Sequence, residues 1–168
     1  MATVTLYHYV TDKKYENIVK ERSLVPSAPF NSKIPKEEWK DYAGKFPFLV
    51  ARLYTCSFLE SEPQSWKDYG LFELLMDEFA GGDHLLELTF SEEEKDLFLV
   101  RDHSFHSPKK YNLLPQEWRK REMRDSRPGL REAWYQSTTS LKDYDGSFIC
   151  PEVLIPCPIP LDKIRVIK

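Results

Sequence analysis

Two side chains stand out because they interrupt apolar strands. Near the start, "TVTLYHYV" alternates with the two-residue period of a strand, so Val4, Leu6 and His8 share one face and Thr5, Tyr7 and Tyr9 the other. Near the end, "FICPEVLIPCPIPLDKIRV" carries one carboxylate, Glu152, which by the same alternation points with Cys150 and Leu154, away from Pro151, Val153 and Ile155. Burying an unpaired carboxylate costs several kcal/mol or forces its protonation. Glu152 therefore needs an ionic partner, solvent on an edge strand, or a ligand in a cleft, and Pro151 is compatible with the edge position. His8 has two readings, a core imidazole satisfied by a backbone carbonyl or a group lining a site.

The remaining chemistry-bearing residues form no familiar signature. The sequence has no G-x-x-x-x-G-K-[ST], no G-x-G-x-x-G, no G-x-S-x-G and no H-E-x-x-H, which removes support for kinase, dinucleotide oxidoreductase, serine hydrolase and zinc protease readings. Cys56, Cys150 and Cys157 are odd in number and lack a Cys-x-x-Cys pair, so neither a disulfide framework nor a metal site is expected. His103 and His106 in "DHSFH" lack a third ligand at metal spacing. The formal net charge of -3 hides one basic stretch, Arg119 to Arg131, which reads either as a solvated helix of mixed charge or as a contact for phosphates or an acidic partner.

These residues need positioning elements. The composition, 41% apolar and 30% charged over 168 residues, suits one globular domain spanning 1–168. No apolar run is long enough to cross a bilayer and "MATVTLYHYV" lacks signal-peptide features, so a cytoplasmic protein, or one delivered to a target cytosol by a signal-independent route, is expected. After the first strand, "TDKKYENIVKERS" opens with N-cap types and places Tyr15, Ile18 and Val19 on one helical stripe. A proline-rich crossing loop leads to a central strand in "FPFLVARLYTCSF"; helices are expected at Trp66 to Phe79 and in "PQEWRKREM". Strands are expected at "HLLELTF", "DLFLV", "AWYQSTT", "FICPEVLI" and "KIRVI". Helices early and strands late, without regular alternation, give an α+β class.

At the two ends the sequence resembles the ADP-ribosyltransferase fold in its diphtheria-toxin and poly(ADP-ribose) polymerase branch. "LYHYVTDKKYENIVKERSLVPS" is similar to that superfamily's opening strand, helix and exit, and "PEVLIPCPIPLDKIRVI" to its last motif, a Glu on a strand followed by a Pro-rich turn and a final strand. "LYTCSFLESEPQSWKDYG" is similar to the middle motif, and residues 85–135 match none of them. The resemblance implies two small packed β-sheets with flanking helices around an NAD cleft, and a mono-ADP-ribosyltransferase that takes NAD as substrate and no metal. It makes Glu152 the catalytic carboxylate and His8 the hydrogen-bonding partner of the ribose and nicotinamide amide, with Tyr9, Tyr54, Ser57 and Tyr69 as further cofactor-binding candidates. Tyr54 and then Tyr69 are the candidates for stacking on nicotinamide, and Ser57 for supplying a hydroxyl.

Arginine-directed members carry Glu or Gln two positions before the catalytic Glu; Cys150 stands there, so the acceptor implied is a non-arginine protein site, a nucleic acid or a small molecule. By position "STTSLKDYDGS" is the target-recognition loop, with Tyr144 exposed. An NAD glycohydrolase, with water as acceptor, uses the same chemistry. A non-catalytic transferase-like module that binds a partner, including nucleic acid, through Arg119–Arg131 is the reading from a different class.

Overall fold

A computed structural model describes residues 2–29, 40, 52–62, 83–102, 136–148 and 151–168. Strand β1 (Thr3–Val10) follows the alternation of its sequence, with Leu6 and Val10 buried on one face. Helix α1 (Asp12–Glu21) starts where Thr11 turns its hydroxyl back to accept from the Lys14 backbone N–H at 3.2 Å, satisfying one of the donors that the first turn leaves open. It stops at Arg22, which takes a left-handed φ of 56° while its N–H still reaches the Ile18 carbonyl. Only Ile18 of the helix is fully buried, so one narrow apolar stripe docks it.

The proline-rich segment after α1 contains two short strands, β2 (Ser23–Leu24) and β3 (Ala28–Pro29). Strand β4 (Leu53–Phe58) is the described part of the expected central strand. Strand β5 (His84–Ser91) comes next, then β6 (Leu99–Asp102), with a 3-10 turn at Glu94–Leu97 between them. The expected strand "DLFLV" is thus displaced: its first residues turn, and the strand runs on to include Arg101 and Asp102. β7 (Thr139–Ser140), β8 (Pro151–Ile155), β9 (Ile159–Pro160) and β10 (Ile164–Val166) complete the described strands. The expected helices at Trp66 to Phe79 and in "PQEWRKREM" lie outside the described residues, as do Cys150, His103, His106 and the Arg119–Arg131 stretch.

The α+β expectation is met in its coarse form, a mostly antiparallel sheet with one α-helix among the described residues. The sheet runs β10-β5-β1-β4-β8-β6-β7, with β3 also on β4, and β2 and β9 form a separate ladder. The two expected sheets are joined into one by a narrow seam. β1 pairs with β5 along its whole length, from Thr3↔Ser91 to Val10↔His84, but with β4 only at Tyr7↔Phe58 among the described residues. Farther along β4, Tyr54 and Leu53 pair with β3. β1 and β4 therefore meet at one end and part.

One face of both halves forms the core, where Leu6, Val10, Leu86, Leu88, Phe90, Val100, Val153 and Ile155 pack with Ile18 of α1. Burying aliphatic and aromatic side chains of this kind contributes roughly 1.5–3 kcal/mol each before entropy is subtracted. No helix among the described residues is long and apolar enough to cross a membrane.

Candidate functional site

Glu152 is buried, at 5% exposure, and β8 is an interior strand lying between β4 and β6. Pro151 is tolerated there because it is the first residue of the strand. Of the three fates open to the carboxylate, the fold provides an ionic partner. Arg101 sits directly opposite on β6, and its Nε and Nη2 donate to Oε2 at 2.9 Å and Oε1 at 3.4 Å. A guanidinium fork matches two carboxylate oxygens at once, which repays part of the desolvation of both ions.

On its other side Glu152 faces β4, in register with Phe58. Cys56, two residues earlier and on the same face, hydrogen-bonds Glu152 through its side chain. Burial first, then the charge of Glu152, pushes the Cys56 thiol up to about 12, so it is held protonated and donates to the carboxylate.

His8 reaches the same residue from the opposite end of the chain. Its Nδ1 lies 2.6 Å from the Cys56 carbonyl oxygen. Beyond Tyr7↔Phe58 the strands part, and the imidazole of His8 takes the place of a backbone donor on that carbonyl. A carbonyl only accepts, so Nδ1 carries the proton and Nε2 is the bare acceptor. Burial, and then the nearby Lys14 ammonium, lowers His8 to about 4 against the opposing pull of the Cys56 carbonyl, so the ring is neutral near pH 7. Nε2 is shielded from solvent and has no hydrogen-bond partner among the described residues.

Cys56 thus links the two ends, with His8 on its carbonyl and Glu152 on its thiol. By strict strand alternation, however, the β1 residue on the face of Phe58 and Glu152 is Tyr7, and His8 lies on the face of Leu6 and Val10. The imidazole and the carboxylate approach Cys56 from different sides, one at its carbonyl and the other at its thiol.

The other expected site residues have separate surroundings. Tyr9 is 8% exposed and donates its hydroxyl to the Ser61 carbonyl at 2.5 Å, and burial, then Glu62, raises it to about 12. Tyr54 is on the face of Cys56 and Glu152, fully buried; burial raises its hydroxyl while Arg52 and Arg101 oppose the shift, which puts the phenol near the Glu152 ion pair. Ser57 turns to the core face and donates to the Val153 carbonyl at 3.2 Å. Tyr69 lies outside the described residues.

Tyr144 is half-buried against the core, not exposed, and its hydroxyl accepts from the Phe148 N–H at 3.0 Å, closing the loop on itself. Asp145 and Gly146 do form the turn, with Gly146 at φ 81° and the Asp145 carboxylate accepting from the Ser147 N–H at 3.0 Å.

Two residues of this cluster escaped the sequence reading. Arg101 follows the apolar run "LFLV" immediately, and extending that strand by one residue would have placed a cation on a buried strand. Lys14, in the first turn of α1, donates from Nζ to the Ser27 hydroxyl at 3.3 Å and lies close enough to His8 and Cys56 to lower the pKa of both. No group of His, Cys, Asp and Glu able to hold a metal occurs among the described residues.

No protein-family model and no curated protein matches the sequence. Among solved structures the chain is similar to that described as Thermus sp. 2.9 DarT in complex with ADP-ribosylated ssDNA, with 13% identity and a TM-score of 0.39, over 96% of this chain and 78% of that one. At that level of likeness neither fold nor activity carries over from one chain to the other.

Proposed function

We propose that the chain is a mono-ADP-ribosyltransferase consuming NAD, with an ADP-ribosyltransferase-like fold and its site at the seam between β1 and β4. The observation that supports it is the buried Nε2 of His8, without a hydrogen-bond partner among the described residues, on an imidazole bound to Cys56, whose thiol neighbours Glu152. A buried acceptor left unsatisfied costs roughly 1–3 kcal/mol, a cost that a ligand hydroxyl or amide N–H would remove. The ribose hydroxyls and carboxamide of NAD offer such donors.

In this reading the bond between nicotinamide and ribose C1′ breaks with its electron pair leaving on nicotinamide. The positive charge that develops on the ribose is stabilised by the Glu152 carboxylate, oriented by Arg101. An acceptor nucleophile then bonds to C1′ and loses its proton. Cys150 in place of a second polar group argues against an arginine acceptor, leaving another protein site, a nucleic acid or a small molecule; with water the same steps make an NAD glycohydrolase.

A second reading is favoured by the ion pair itself: with Arg101 on both oxygens and Cys56 beside them, Glu152 is tied into the sheet as a structural acid would be, which suits a binding module without turnover. Labelled NAD distinguishes them. Release of nicotinamide by the wild type, lowered about a hundredfold or more in Glu152→Gln as for removal of a transition-state electrostatic partner, is the expected result. Turnover undiminished in Glu152→Gln excludes the carboxylate's role, and no calorimetric binding at millimolar NAD favours the module.

A further inference from the structure

Among the described residues the charges around Cys56 do not cancel. Glu152 and Arg101 neutralise each other. His8 and the Cys56 thiol are both uncharged near neutral pH, His8 because burial and Lys14 hold its proton off and Cys56 because burial and Glu152 hold its proton on. Lys14 is left. Its ammonium is half-buried, its hydrogen-bond partner is the neutral Ser27 hydroxyl at 3.3 Å, and no carboxylate pairs with it among the described residues. Burial lowers its pKa, as expected of an ammonium that has lost water.

Nor is Lys14 held there to build the helix. Its contribution to the N-terminal cap is made by its backbone N–H on Thr11, which any side chain would leave intact. A cation at a helix start also opposes the helix dipole, so the position carries a small penalty. An ammonium with one neutral partner, near an imidazole with an unsatisfied acceptor among the described residues, is a place where an anion gains a charge-assisted hydrogen bond at little cost in reorganisation.

We propose that Lys14, with the Ser27 hydroxyl beside it, forms an anion subsite that receives the diphosphate of the dinucleotide, an assignment that rests on the NAD reading of the seam. Lys14 would then be a binding residue, gripping the part of the substrate away from the bond that breaks, while His8 and Glu152 act on the ribose end.

Calorimetry with ADP-ribose, nicotinamide and inorganic pyrophosphate on wild type, Lys14→Gln and Lys14→Arg tests this. Gln at the third position of a helix is a favoured capping residue, so Lys14→Gln keeps α1. The expected result is ADP-ribose binding about tenfold or more weaker in Lys14→Gln, consistent with loss of one charged hydrogen bond, with nicotinamide binding unchanged. Lys14→Arg should retain most of the affinity. Equal ADP-ribose affinity in wild type and Lys14→Gln overturns the subsite and leaves the NAD reading standing. If the wild type binds neither NAD nor ADP-ribose, the NAD reading falls, and pyrophosphate decides the subsite separately. Pyrophosphate binding that is lost in Lys14→Gln supports an anion site of another kind; no binding, or binding equal in both proteins, overturns it.

Discussion

His8 is neutral because of where it sits, and that makes stability depend on pH. In the unfolded chain the imidazole titrates near its ordinary 6.5, whereas in the folded protein burial and Lys14 hold it near 4. Between those values the unfolded state binds a proton that the native state does not, so stability must fall as pH drops from about 6.5 towards 4. The loss approaches about 3 kcal/mol if the ring is as fully desolvated as its Nε2, and less in proportion to any water that reaches it. His8→Gln, which keeps a donor for the Cys56 carbonyl, should flatten this part of the curve. Urea unfolding of both proteins at closely spaced pH values measures the difference. Parallel curves would mean that His8 is not held neutral by the fold.

At the scale of elements, the ion pair between Arg101 and Glu152 joins β6 to β8 as well as fixing a carboxylate. Removing one member leaves the other buried without its counter-charge, at about 3–5 kcal/mol, whereas replacing both with apolar residues of similar size is often neutral or better. Arg101→Met should therefore cost several kcal/mol, and the double variant Arg101→Met with Glu152→Leu should recover much of it, read as denaturation midpoints at unchanged slope. A double variant as unstable as the sum of its parts would show that packing, not charge, sets the cost. NAD turnover should remain abolished in the double variant, which separates the carboxylate's service to the fold from its proposed chemistry.

The same pair marks where the sequence was readable and where it was not. β1, α1 and β5 were legible because their periods are local: alternation fixes the faces of Leu6 and Val10, and Thr11 announces the helix. Glu152 was recognisable as an acid in need of a partner, since that follows from its neighbours alone. The partner was not, because β6 lies beside β8 only through the strand order, and no local pattern in "LFLVRD" specifies it. The same limit applies to Pro151, whose compatibility with an edge strand gave way to an interior strand that begins at the proline. His8 was readable as a group on an apolar face, but its contact with Cys56 depends on β1 and β4 parting, which involves residues 48 positions apart.

Over the whole molecule, the β1–β4 seam divides one sheet into two parts of unequal cohesion. β1, β5 and β10 form a continuous ladder on one side and β4, β8 and β6 on the other, yet the described junction is Tyr7↔Phe58 with the His8 side chain bridging beyond it. Backbone amides in continuous interior ladders open only with large-scale unfolding, while groups at an interrupted ladder are released by local opening. Hydrogen exchange should accordingly be slowest in Leu86–Leu88 and Val153–Leu154 and faster in Cys56–Phe58 and His8–Tyr9. A ligand that bridges the seam adds contacts to both sides and must be released before they separate, so NAD or ADP-ribose should slow exchange at Cys56–Phe58 and His8–Tyr9 much more than at Leu86–Leu88. Exchange measured with and without ADP-ribose, at concentrations that saturate the wild type, carries the comparison. Protection spread evenly over both ladders would mean global stabilisation by a ligand bound elsewhere, and protection confined to one side of the seam would place the ligand on a single half-sheet, contrary to a site built from His8 and Glu152 together.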